Sequence, residues 1–400
     1  MISDCGSITY ALGKWVDVML QPVAQGMQTY LKDSFKLKKI LDNTTITPGA
    51  WLFTCNAESM YTNIDTENAL RIIAELLHHP ETQKKYPHYN ANTLIEALEI
   101  VMRNNTFKCG DIIAQQLSGM VIGKPCTPPW ATIFEGCHKN KTIKKYHPNL
   151  QIYLRYLDDI FAIWTPTSTT SIEDEKTWEE FKTATNNHCL TWIFSEQSHK
   201  INFMDLTILI VGNKLQTTLY KKPMVLYLYI PPHSSHPPGC LKGHICSTIL
   251  CIFRLCSCES DIISHIKSFF NCMIQRGHKA SGIISMFKEA LYKAEKFLRT
   301  NDNDCKSLRD NKLEAARRKV YLHLDYHPQS PPAHKIQCLF EHHVLKPPGK
   351  LPLNKLGPGE SDIPIDAMTI AYHCTLNMEN LFSYHKLCTR HGPPLSSFLE

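Results

Sequence analysis

Apolar positions in the first 48 residues recur at helical spacing. Leu12, Trp15, Val16, Met19, Leu20 and Val23 mark one amphipathic helix, with Pro22 near its end. Leu31, Phe35, Leu37 and Ile40 mark a second, short one, before Pro48-Gly49 breaks the chain. The period then changes. Trp51-Leu-Phe-Thr-Cys55 is rich in β-formers and reads as a strand. A helix follows, capped at Asp65 or Thr66, with Ala69, Leu70, Ile73 and Leu77 inward and Pro80 as its stop. Another runs from about Asn92 to Arg103 on Leu94, Ala97, Leu98 and Val101. Phe107 to Gln116 is strand-like. A Gly/Pro-rich turn from Ser118 to Pro129 then opens a helix at Trp130.

The stretch Tyr153-Leu-Arg-Tyr156-Leu-Asp158-Asp159-Ile-Phe-Ala-Ile-Trp164 reads as a β-hairpin with two aspartates at its turn. Aspartate favours turns and disfavours strand interiors, so the fold accounts for one of them. Two adjacent carboxylates repel, and a cation relieves that repulsion. Oxygen ligands of this hardness suit Mg²⁺. Downstream, a polar helix (Glu173 to Asn186) leads to a strand at Thr191–Phe194. A strand pair element at Ile201–Ile208 follows, then a turn at Gly212-Asn213 and a return arm from Leu215 to Tyr220.

Beyond Lys221-Lys222-Pro223 the character changes. Tyr227, Tyr229, His233, His236 and prolines 231, 232, 237 and 238 read as a loop-rich connector. Ile262, Ile266, Phe269, Phe270 and Met273 mark a helix stopped at Gly277. Ile284, Phe287, Leu291, Ala294 and Leu298 mark the next. A proline-rich tail (Pro331-Pro332, Pro347-Pro348, Pro352) shows no domain of its own.

Charge sharpens this picture. The 400 residues carry a formal net charge of +6, a weak argument for nucleic acid. From His265 to Val320, however, 13 Lys/Arg face 6 Asp/Glu, a local excess larger than that of the whole chain. A basic helical region of this kind suits phosphate backbones. The 16 cysteines form no repeated Cys-X-X-Cys pairs, and Met1-Ile-Ser-Asp-Cys has neither a basic nor an apolar leader region. Apolar runs such as Ile249 to Phe253 are far too short to span a bilayer. The expectation is an intracellular, soluble protein with reduced thiols and no membrane partner.

Four blocks now align with a known order. Tyr156-Leu157-Asp158-Asp159 resembles the Tyr-X-Asp-Asp signature of reverse transcriptases. Asn56 to Ile64 resembles the first palm motif of that family, and Gly119 to Phe134 the second. Ile201 to Ile208, with Leu219-Tyr220-Lys221-Lys222-Pro223, resembles the strands that grip the primer and lead to the thumb. Ser59-Met60-Tyr61-Thr62-Asn63-Ile64 and the Gly-X-X-X-Gly-X-Pro-X-X-Pro pattern are similar to the Penelope-like retroelement enzymes, kin of telomerase catalytic subunits. The resemblance covers roughly residues 1–345.

It implies an α+β fold: a right-hand polymerase palm with an antiparallel sheet, partial fingers and a helical thumb. Residues 1–48 would be residual fingers and palm-entry helices, 49–220 the palm, 221–345 the thumb-like region and 346–400 the proline-rich tail. It implies RNA-templated DNA synthesis with an RNA template, a DNA primer and deoxynucleotides, a two-ion Mg²⁺ site, and a nuclear place of action. No protein partner is indicated. Asp158 and Asp159 would be catalytic and hold metal, with Asp158 the principal ligand. Tyr61, Gly119, Gly123 and Pro128 would bind nucleotide; Phe203, Asp205, Lys221 and Lys222 would meet primer and template. The family's basic finger residues would precede a segment resembling Ser3 to Ser7, so the resemblance also implies an N-terminally truncated fingers region.

One position departs from the family. The first motif's aspartate is Asn56 here, which offers an amide and no charge. Glu58 is two residues on, about 6–7 Å along an extended strand, and is a poor replacement. Severely reduced catalysis is the expectation, and two readings stay open: an impaired polymerase, or an inactive remnant that binds nucleic acid only. Two metal-like groupings are weaker. His233, His236, Cys240, His244, Cys246, Cys251, Cys256 and Cys258 fit no paired-knuckle spacing. His323 and His327 read as a strand leaving for a turn.

Overall fold

The computed structural model describes residues 7–109, 111–116, 118–120, 123–167, 171–186, 190–223, 227–237, 239–299, 319–325, 331–340, 342 and 367–373. Helix α1 (Tyr10–Gln25) buries Val16, Leu20 and Val23, whereas Trp15, placed on the same stripe by its spacing, is 40% exposed. Helix α2 (Ser34–Asp42) is capped by the Asp33 side chain, which accepts from the Lys36 amide. Strand β1 (Trp51–Ala57) ends at a sharp reversal: Ser59 sits at φ 48° and starts the single turn α3 (Met60–Asn63). Helix α4 (Thr66–His78) is capped by Asp65 and buries Ala69, Leu70, Ile73 and Leu77. Pro80 does not return the chain to coil. It heads a further helix, α5 (Pro80–Lys85), where its missing N–H costs nothing.

Helix α6 (Ala91–Arg103) buries its four expected residues behind an Asn90 cap. The single strand expected at Phe107–Gln116 is a separate antiparallel hairpin of β2 (Thr106–Cys109) and β3 (Ile112–Gln115). Helix α7 (Thr127–Lys145) starts ahead of Trp130, because Pro128 and Pro129 are accommodated in its first turn.

Strands β4 (Leu150–Tyr156) and β5 (Asp159–Trp164) form the foreseen hairpin, and α8 (Ser171–Thr185) and β6 (Trp192–Phe194) follow. They make a four-stranded sheet of order β4-β5-β1-β6, antiparallel at each pairing with β1. One face of it packs on the helices. Phe53 and Ala57 of β1 and Ile160, Ala162 and Trp164 of β5 join Leu20, Trp130, Phe134, Trp178 and Phe181 in one buried cluster. Each such side chain withdrawn from water contributes about 1.5–3 kcal/mol. A second sheet comprises β7 (Lys200–Phe203), β8 (Leu206–Val211) and β9 (Lys214–Leu219), so the element expected at Ile201–Ile208 is two strands reversed at Met204, which sits at φ 51°. The two sheets are stitched by paired bonds between Leu52 and Ser198, 2.8 and 3.1 Å.

The chain divides into two compact units, Met1–Val225 with Leu255–Ile262, and Leu226–Arg254 with Ile263–Glu400. Within the first, Ser257 and Thr217 exchange backbone and hydroxyl bonds on the edge of β9. The second is built on α9 (Cys240–Leu255), α10 (Glu259–Gln275) and α11 (Ala280–Arg299). Its core is Ile245, Ile249, Phe269, Met273, Ile283, Phe287, Ala290 and Ala294. Helix α9 has no counterpart in the sequence-based expectation, although Leu241, Ile245, Ile249 and Ile252 carry the spacing of one.

Cys246 and Cys251 therefore ride on a helix, while Cys256 and Cys258 reach Thr218 and Gln216. Among the described residues no three His, Cys, Asp or Glu side chains gather around a metal position. His323 lies on β10 (Lys319–Asp325), which pairs in parallel with β11 (Ala367–His373) out of the expected tail; His327 and prolines 347, 348 and 352 lie outside the described residues. A short helix, Ala333–Phe340, follows Pro332. No helix among the described residues is long and apolar enough to cross a membrane.

Candidate active site

Strand alternation decides what faces the site. Cys55 and Ala57 point into the core, so Asn56 between them is exposed on the other side. In the β1–β5 register Asn56 lies directly opposite Asp159, and Asp159 also pairs with Tyr156 across the hairpin. The two-residue turn is Leu157-Asp158. Leu157 takes φ 52°, a conformation that a branched residue adopts only when its surroundings hold it. The Ala57 amide donates to the Asp158 carbonyl at 2.9 Å, so β1 and the hairpin turn are joined by backbone as well as side chain.

The holding group is Arg155. Its side chain is 1% exposed. Nη1 donates to the Leu157 carbonyl at 2.9 Å and Nη2 to the Thr132 carbonyl of α7. Its backbone N–H donates to Thr29 at 2.7 Å, and its carbonyl accepts from Leu31 at 2.9 Å. Burial pulls the guanidinium below its usual pKa, opposed by the buried carboxylate of Glu135. Motif comparison had no role for Arg155. The available signal was a lone charge inside an apolar strand, which a fold tolerates only when it is bonded.

The Asn56 amide donates Nδ2–H to Asp159 Oδ1 at 2.5 Å. An amide beside a carboxylate must present its NH₂ end, since its oxygen would be repelled. Burial raises the Asp159 pKa; the Asn56 bond lowers it, the Asp158 charge raises it and Lys222 lowers it. The Asn56 amide and the Lys222 ammonium thus offset only part of the burial that leaves Asp159 above the usual carboxylate range. Glu58 does not join them. It is exposed, and its backbone N–H donates to Thr191 where the strand ends.

Two divalent ions carry four positive charges and are clamped by several carboxylates. Here two carboxylates stand opposite an amide, one Asp159 oxygen is taken by that amide, and no third carboxylate is gathered among the described residues. The donor set does not fit a pair of Mg²⁺ ions.

The other expected site residues divide. Tyr61 is half-buried beside the aspartates, its pKa raised by burial and then by the charges of Asp158 and Tyr156. Gly119, at φ +81°, presses on the turn after β1: a Cβ there would lie 3.0 Å from the carbonyl oxygens of both Tyr61 and Thr62. The Met120 amide donates to Tyr61, and Thr66 Oγ1 donates to the Gly119 carbonyl at 2.9 Å. The close approach that this glycine permits in the structure is to its own chain. Gly119→Ala is therefore expected to cost about 1–3 kcal/mol, read as a lowered denaturant midpoint, because the new methyl meets backbone in a left-handed conformation.

Gly123 is exposed at φ +119°. Pro128, at the start of α7, lines a cleft of about 170 Å³ with Tyr30, Lys32, Tyr156 and Leu157. Phe203 is 4% exposed, with its ring 5.7 Å from that of Phe161, so its side chain fills core instead of facing a primer. Asp205 is occupied as well: Ser34 Oγ donates to Oδ2 at 2.8 Å and the Tyr220 amide to its carbonyl at 2.8 Å. Lys221 is half-buried, and Lys222 is exposed with its charge reaching Asp159.

The mixed fold of helices and antiparallel sheet resembles that of a solved telomerase. Telomerase from Candida albicans, solved with the TWJ fragment of telomeric RNA, superposes with TM-score 0.50 at 8% identity, over 71% of this chain and 48% of that one. Apo telomerase from Candida tropicalis gives 0.39 at 11% identity, over 73% and 52%. The RNA-dependent RNA polymerase of a human picobirnavirus gives 0.44 at 12%, over 71% and 53%. The chain spans about half the length of each, and only the first reaches a level that supports a shared fold. No family model matches the sequence, and no curated protein matches it.

Proposed function

We propose that this chain is a reverse transcriptase-like domain of the Penelope-like, telomerase-related kind that binds an RNA template and DNA primer, and that its nucleotidyl transfer is impaired. The class reaction is RNA-templated DNA synthesis from deoxynucleotides with Mg²⁺. The observation that carries the reading is the antiparallel pairing of Asn56 with Asp159 beside Asp158. Three motif residues stand at one point, with an amide where the class requires a carboxylate. The ordered motifs and the polymerase-type fold support template–primer binding; the donor set supports impairment.

The basic stretch His265–Val320 is the proposed phosphate-binding region. Binding there releases counterions, so affinity for an RNA–DNA hybrid should fall steeply and log-linearly with salt, by about tenfold or more between 50 and 200 mM. Filter binding or anisotropy of the full chain measures it. Asp158→Ala should leave that affinity within about twofold, since a carboxylate does not attract phosphate. No binding at 50 mM salt would remove the proposal, and a salt-independent affinity would remove the phosphate mechanism.

A further inference from the structure

A cleft at the far end of the palm sheet has no part in the polymerase reading. Trp51 pairs with Trp164 at one end of β1 and β5, and Asn56 with Asp159 at the other. Five residues at about 3.3 Å each put the two ends about 16 Å apart. At the tryptophan end the cleft has a volume of about 750 Å³, within the range of about 300–1,000 Å³ typical of ligand sites.

Its floor is aromatic. Trp178 meets Trp51 edge-on at 4.7 Å, Trp164 at 5.1 Å and Phe194 at 5.6 Å. Trp51 is only half-buried, so indole surface is open to the cleft. Its rim is acidic on both sides. Asp174, Glu175 and Glu179 come from the α8 face that carries Trp178, and Glu196 comes from a loop pinned to β1 by the Thr54–Ser195 bonds. Lys182 is the one cation of the lining among the described residues, bonded to Glu179 at 2.7 Å and lying 5.7 Å from the Trp178 ring centroid. Among the described residues four carboxylates, of which Asp174 also accepts from the Thr167 amide, stand against one ammonium and make the lining anionic.

An anionic rim repels phosphate, so neither nucleotide nor nucleic acid suits this cleft. The half-buried Trp51 indole, ringed by carboxylates, suits a cation, and Lys182 beside it is held by its neighbours on the same helix. The cleft is much larger than that one ammonium fills. A guanidinium suits it better than an ammonium, because it is planar, stacks on indole and forks to carboxylate oxygens.

We infer that this cleft is a docking site for an arginine-bearing segment of a partner polypeptide. The inference stands apart from the polymerase reading and survives its failure. The test is intrinsic tryptophan fluorescence of the full chain, titrated with the synthetic peptide acetyl-Gly-Arg-Gly-Arg-Gly-amide. Saturation below about 1 mM is expected. Glu175→Lys combined with Glu196→Lys, both at exposed positions that leave the fold intact by circular dichroism, should weaken binding at least about tenfold. Lys182→Ala removes the resident competitor and should tighten it about threefold or more. Absence of saturable change in the parent chain would overturn the inference, as would equal binding by the charge-reversed variant. Equal affinity for the lysine analogue of the peptide or for spermidine would overturn the assignment to arginine.

Discussion

Asn56→Asp is expected to raise Mg²⁺-dependent primer extension at least about a hundredfold over the parent chain, the scale on which one preorganised electrostatic group acts. The register delivers the new carboxylate to the right place without remodelling, since Asn56 already lies opposite Asp159 and contacts it. Its cost falls on the metal-free protein. A charge-assisted hydrogen bond to Asp159 becomes a repulsion, so without divalent ions the variant should lose about 1–3 kcal/mol in denaturant unfolding, and Mg²⁺ should return part of it. Calorimetric Mg²⁺ titration supplies a readout independent of turnover: the variant should bind at least about tenfold more tightly than the parent. Equal extension together with equal Mg²⁺ affinity in the two forms would sink the impairment reading.

Arg155→Ala should destabilise the first unit by about 3–5 kcal/mol, the cost of removing one partner from a buried charged network. The substitution leaves the Leu157 carbonyl without its guanidinium donor, removes the second bond to the Thr132 carbonyl, and leaves the buried Glu135 carboxylate without its facing charge. It also releases the left-handed Leu157 on which the placement of Asp158 depends. Denaturant unfolding followed by tryptophan fluorescence measures the loss. Arg155→Lys should recover only part of it, because one ammonium on a flexible stem does not reproduce the guanidinium fork that reaches both carbonyls. A loss below about 1 kcal/mol in the alanine variant would show that the hairpin holds its shape without this anchor.

What was legible in the chain follows from periodicity. Residues at three- and four-residue spacing placed α4 and α6 with their buried faces, and the apolar strands around Asp158-Asp159 placed the β4–β5 hairpin. Prolines were less reliable guides. Pro80, Pro128 and Pro129 mark helix starts, where a residue without an N–H does no harm, and local pattern does not separate a start from a stop. Helix α9 was obscured by its cysteines, glycine and histidine, although the spacing of its isoleucines was present.

The candidate site divides in the same way. Motif order alone nominated Asn56, Tyr61, Asp158 and Asp159, and the structure brings them to one end of the sheet. That Phe203 is core and Asp205 a turn anchor is not legible in motif order, because strand alternation allows either face until a neighbouring sheet claims one. By itself the sequence determined the residue types at this point: two adjacent carboxylates in a turn and an amide at the end of a strand. Only the tertiary structure decided that this amide is a hydrogen-bond donor to Asp159, because the donor, the acceptor and the buried Arg155 beneath the turn come from segments that no local rule brings together. The pairing of β1 with β5 puts Asn56 opposite Asp159, 103 positions away along the chain, so that one Asp159 oxygen accepts from that amide.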